Sequence, residues 1–68
     1  MHIGKRLKTA MTLRDVSGRK LAKDLGVSVT TISAWRKEKH NSTERISELS
    51  EYFGFTESEF IELALIAS

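Results

Sequence analysis

The sequence predicts an all-α fold of five helices, and three observations carry that reading. The 68-residue chain has no proline and only four glycines, so little along it breaks a helix. Its apolar residues recur three and four positions apart rather than in alternation. Ser, Asn or Thr stands ahead of four of these runs, where a side-chain oxygen accepts a backbone N–H at a helix start.

The first helix is marked by Ile3, Leu7, Ala10 and Met11, with Lys5, Arg6 and Lys8 between them. Thr12 to Val16 reads as a connector, with Leu13 and Val16 as its inward anchors. Ser17 caps the second helix, whose inner face is Leu21, Ala22 and Leu25 and whose surface pairs Lys20 with Asp24 at i,i+4. Gly26 supplies the turn, since it tolerates positive φ. Ser28 caps the third helix, Ile32 and Trp35 face inward, and Arg36, Lys37 and Lys39 end it where cations suit the helix dipole. Asn41 with Glu44 predicts a capping box for the fourth helix, which buries Ile46, Leu49, Tyr52 and Phe53 and stops at Gly54. Thr56 with Glu59 predicts a second box, stapled by Phe55 and Phe60, for a fifth helix that runs nearly to the end.

Sixty-eight residues suffice for a single domain, taken as residues 1–68, with a modest core. Without cysteine there is neither a disulfide nor a thiolate metal site, and a reducing compartment suits the chain. No apolar run approaches the roughly 20 residues that span a bilayer. The net charge of +2 hides a strong asymmetry. Residues 1–39 carry ten Lys and Arg against three Asp and Glu, a net of +7; residues 40–68 carry one against six, a net of −5. A basic half and an acidic half point to a polyanion on one face and its exclusion from the other.

The third helix opens on Ser28, Val29, Thr30 and Thr31, which are poor helix formers. Short, stiff, weakly polar side chains at a helix start suit a surface task. The helix before it, the turn at Gly26 and this helix together make a helix-turn-helix. Ala22 is small where the helices cross, and Leu21, Leu25, Val27 and Ile32 hold them at a steep angle. Such a unit presents its second helix to the major groove of DNA, roughly 12 Å wide.

The stretch LAKDLGVSVTTISAWRKEK resembles the helix-turn-helix unit of the Cro/phage-repressor domains (lambda-repressor-like, XRE-type). RISELSEYFGFTESEFIEL is similar to the last two helices of the same domains, so the resemblance covers nearly the whole chain. It departs in TLRDVSGRK, where Gly18 stands in place of the usual glutamine. The resemblance implies a five-helix lambda-repressor-like domain that binds double-stranded operator DNA, usually as a symmetric dimer, and regulates transcription, in the cytoplasm of a bacterial or phage-infected cell. It implies base readout by Val29, Thr30, Ser33 and Ala34, with Thr and Val methyl groups and Ala against thymine methyls and Thr hydroxyls on base edges. It implies phosphate contacts from Ser28, Thr31, Arg19, Lys20, Lys37, Lys39, His40 and Asn41.

Trp35, three residues after Ile32, reads as core rather than as a base-stacking group. The fifth helix is apolar nearly all round, so a stripe of Ile61, Leu65 and Ile66 is left over once its inner face is buried. That stripe predicts a dimer seam; the competing reading is an N-terminal domain of a longer repressor, cut at Ser68. Nothing in the chain matches a phosphate-binding, dinucleotide or metalloprotease motif, and neither a catalytic site, a cofactor, a metal nor a small-molecule substrate is expected. The alternative function is a helical protein-interaction or antitoxin-like module, which lacks salt-dependent affinity for DNA.

Overall fold

A computed structural model of the chain describes residues 3–37 and 44–66. Five helices follow one another: α1 (Gly4–Leu13), α2 (Gly18–Leu25), α3 (Val29–Trp35), α4 (Glu44–Phe53) and α5 (Glu57–Ile66). No strand occurs among the described residues.

The helix boundaries follow local chemistry. Ser17 Oγ accepts the N–H of Lys20 at 3.1 Å, and Ser28 Oγ accepts the N–H of Thr31 at 3.1 Å. Gly26 closes α2 in the left-handed conformation, φ 71°, and the next amide, Val27 N–H, reaches back to Ala22 O at 3.0 Å. Thr56 and Glu59 form a reciprocal capping box, with each backbone N–H donating to the other's side chain at 2.8 and 3.1 Å. Asn41, the expected cap of α4, lies outside the described residues.

One core gathers all five helices. Ile3, Leu7, Ala10 and Met11 of the first helical segment, Leu21 and Ala22, Ile32 and Trp35, Ile46, Leu49 and Phe53, and Phe60 and Leu63 are buried together. Val16, Leu25, Val27, Tyr52 and Phe55 pack against this cluster half-buried. α1 lies along α5 and touches α4, while α2 and α3 pack on each other. Ser50 is also buried, and its hydroxyl is satisfied by Ile46 O at 2.5 Å.

Leu13 corrects the sequence reading. It is 53 % exposed and is not an inward anchor. α1 continues through Thr12 and Leu13 instead of ending before them. At 3.6 residues per turn, that continuation rotates Leu13 roughly 110° off the face shared by Leu7, Ala10 and Met11. Val16 does reach the core, and the turn that brings it there puts Asp15 at φ 53°.

Two arginines from the basic half tie α1 and its turn to the acidic half. Arg6 Nε donates to Ile61 O of α5 at 2.7 Å. Arg14 Nε donates to Phe53 O at the end of α4 at 3.0 Å, and its guanidinium lies 4.4 Å from the centroid of Phe55.

Candidate nucleic-acid interface

The site is built from α2, the turn at Gly26 and α3. Leu21 and Ala22 on one helix and Ile32 and Trp35 on the other are buried, so α3 is fixed by its inner side. The opposite side of α3 is open: Thr30 and Ser33 are exposed, Val29 is 48 % exposed, and Ala34 is half-buried at the edge. An exposed valine at the first turn of a short helix contributes little to folding. Its methyl groups, with the Thr30 hydroxyl beside them, form a short, mixed surface that fits base edges in a major groove.

The N-terminal end of α3 is tightly organised. Ser28 Oγ and Thr31 Oγ1 lie 2.9 Å apart while Ser28 also caps the helix. The C-terminal end is held by α4, whose Arg45 guanidinium sits 4.7 Å from the centroid of the Trp35 ring and bonds Glu48 at 3.3 Å. Trp35 is therefore a core residue clamped from outside, as its spacing predicted. The start of α1 abuts the same end of α3: a Cβ on Gly4 would lie 1.9 Å from Lys37 O.

α2 is anchored to α4 by a short hydrogen bond, Tyr52 Oη donating to Asp24 Oδ2 at 2.5 Å. That bond is the main reason the Tyr52 hydroxyl is pushed up to about 12, with burial and the Asp24 charge adding to it. The same bond holds the Asp24 carboxyl below its usual range; Lys20 and Lys23 add to the shift, and burial opposes it. Lys20 reaches Asp24 Oδ2 at 3.3 Å, the i,i+4 pair expected of this helix.

The family model of the Cro/C1-type HTH DNA-binding domain matches residues 6–64, which takes in all of α2, α3 and α4 and most of α1 and α5. The chain belongs to the Cro/C1-type helix-turn-helix domains. No curated protein sequence and no solved structure matches it. As a Cro/C1-type domain, it is a DNA-binding transcription regulator of a family that is typically non-enzymatic.

On this Cro/C1-type frame, Arg19 and Lys20 are exposed at the start of α2, Ser28 and Lys37 are exposed at the two ends of α3, and Thr31 is half-buried behind Ser28. Lys39, His40 and Asn41 lie outside the described residues. On α5, Ile61 is half-buried and Leu65 is 76 % exposed; the side chain of Ile66 lies outside the described residues. The structure also brings Lys8 of α1 beside Arg36 at the end of α3, a placement of Lys8 that the sequence reading missed. They line an open cavity of about 620 Å³ that reaches the turn at Asp15 and the start of α2. Both residues also line a second cavity of about 280 Å³, together with Ser33 and Lys37. Nothing in the spacing of Lys8 marks it, because it looks like any residue on the polar face of an amphipathic helix. Among the described residues, no helix is long and apolar enough to cross a membrane, and no group of three or more His, Cys, Asp or Glu is placed to hold a metal ion.

Proposed function

We propose that this chain, residues 1–68, is a single operator-binding domain that reads double-stranded DNA with α3 and represses transcription as a homodimer, in the manner of a phage or prophage regulator in the bacterial cytoplasm. The observation that carries the reading is the outward face of α3, where Val29, Thr30 and Ser33 stand exposed on a helix whose other side is locked into the core. With Ala34 they form the base-reading set. Ser28, Thr31, Arg19, Lys20, Lys37, Lys39, His40 and Asn41 hold the sugar–phosphate backbone and set the register. Ile61, Leu65 and Ile66 on α5 form the seam between two copies. Few long polar side chains lie on the reading face, so sequence-dependent DNA shape carries part of the discrimination.

Selection from random duplex DNA at about 150 mM salt tests this reading, and an inverted repeat is the expected product. A single half-site would mean that the dimer contacts lie outside this chain. No enrichment would move the function to a helical protein-interaction module. Two substitutions separate the roles. Thr30→Ala is expected to change base preference at one position, a difference of about 1–3 kcal/mol for a good contact. Lys37→Ala is expected to weaken all sequences alike and to lower the salt slope by about 0.9. If both variants act in the same way, the division between reading and gripping residues is wrong.

A further inference from the structure

The two adjoining cavities beside α3 form one cationic groove. Lys8 and Arg36 line both of them, Lys20 lines the larger and Lys37 the smaller. Asp15 is the only carboxylate on either wall, and Lys20 is already paired with Asp24, so three cations without a carboxylate partner face one anion. Among the described residues, no carboxylate pairs with Lys8, Arg36 or Lys37, and Arg36 Nε is buried without a hydrogen-bond partner. The Arg36 side chain lies along the start of α2, with Nη1 3.7 Å from where a Cβ on Gly18 would stand. The smaller cavity opens at Ser33, on the reading face itself.

Unpaired cations gathered in one groove repel one another, and an anion that fills the groove removes that repulsion. The smaller cavity shares Ser33 with the outward face of α3, so the groove lies next to the DNA that α3 would meet. We propose that Lys8 and Arg36 are additional backbone-gripping residues: the groove seats a DNA phosphate between α1 and the end of α3, and α1 thereby becomes part of the DNA-binding surface. This rests on the operator-binding reading above. Arg36 brings a planar guanidinium suited to phosphate oxygens, and Lys8 brings a mobile charge from the opposite wall.

The test is the salt dependence of binding to one duplex of fixed sequence, measured for the wild type, Lys8→Gln, Arg36→Gln and Lys23→Gln. Lys23 lies on α2 and lines neither cavity, so its variant makes the same change in net charge outside the groove. Lys8 is exposed and its replacement leaves the core untouched, so this arm reads out even if Arg36→Gln folds poorly. The expected result is a log–log slope lowered by about 0.9 for Lys8→Gln and again for Arg36→Gln, and unchanged for Lys23→Gln. Base preference stays the same throughout, because phosphate contacts carry no sequence information. Wild-type slopes in both groove variants, or an equal loss in Lys23→Gln, would overturn the groove while leaving operator binding intact. A wild type without salt-dependent affinity for duplex DNA would overturn both.

Discussion

Gly4 and Gly18 each open a helix beside α3 or its C-terminal end, and they impose opposite requirements. At Gly4 the chain has no room for a side chain. A Cβ would meet the carbonyl oxygen of Lys37 at 1.9 Å and that of Arg36 at 2.9 Å, and backbone atoms cannot swing aside as a side chain does. At Gly18 the nearest atoms to a Cβ are Arg36 Nη1 at 3.7 Å and Ile32 Cγ2 at 3.8 Å, which is ordinary contact. Gly4→Ala is therefore expected to destabilise the fold by about 1–3 kcal/mol, the usual cost of overpacking. Gly18→Ala is expected to stabilise it by up to about 1 kcal/mol, through lost backbone freedom in the unfolded chain. Urea titrations of the two variants check the signs, and a stable Gly4→Ala would mean that α1 does not press on the end of α3 as described. Neither glycine is informative in the sequence alone. The difference lies in what the third helix brings to each one, which is a matter of tertiary approach.

Among the elements, what was legible in the sequence is what depends on neighbours a few residues away. Ser17, Ser28, Gly26 and the Thr56–Glu59 pair all cap or close helices as their spacing predicts, because each satisfies backbone groups within one turn. Leu13 failed because the end of α1 is set by how the following turn seats Val16, which no helical period encodes. The tie between α2 and α4 was equally hidden: Tyr52 looks like one more apolar-face residue, yet its hydroxyl crosses to Asp24, 28 positions away in sequence. That tie has a pH signature. Tyr52 has a higher pKa folded than unfolded, so its contribution is complete below about pH 10, its ordinary value, and is lost as pH rises through about 12. Asp24 has a lower pKa folded than unfolded, so its contribution is present above about 3.8 and is lost as pH falls through the lowered value. Tyr52→Phe is expected to lower the melting temperature at pH 7, by an amount equivalent to about 1 kcal/mol for the lost hydrogen bond. The gap between variant and wild type should then close as pH approaches 12. Melts at pH 7, 10 and 11.5 check this, and a gap that stays constant would show that the bond does not hold α2 against α4.

The whole molecule sets the scale on which DNA is read. The Cα trace measures 27 × 23 × 20 Å, shorter in every direction than the roughly 34 Å between successive major grooves on one face of B-DNA. On the proposed operator-binding reading, one copy covers one half-site and a longer operator calls for a second copy. The charge asymmetry in the sequence gathers the cations in residues 1–39. It could not show that Arg6 and Arg14 each give their Nε–H to a backbone carbonyl of α5 or α4, since a count of charges carries no direction. On the proposed reading, the α5 stripe is the surface that meets the second copy. Leu65, 76 % exposed, lies where a leucine contributes nothing to the core, so a charged replacement leaves the fold in place. Leu65→Glu is accordingly expected to keep the wild-type melting temperature at low protein concentration while losing self-association in sedimentation equilibrium. It should bind an isolated half-site as tightly as the wild type and lose the extra affinity for the inverted repeat, because only the repeat draws on contacts between copies. Wild-type affinity of Leu65→Glu for the repeat would place the seam on another surface and leave the α3 reading face unaffected.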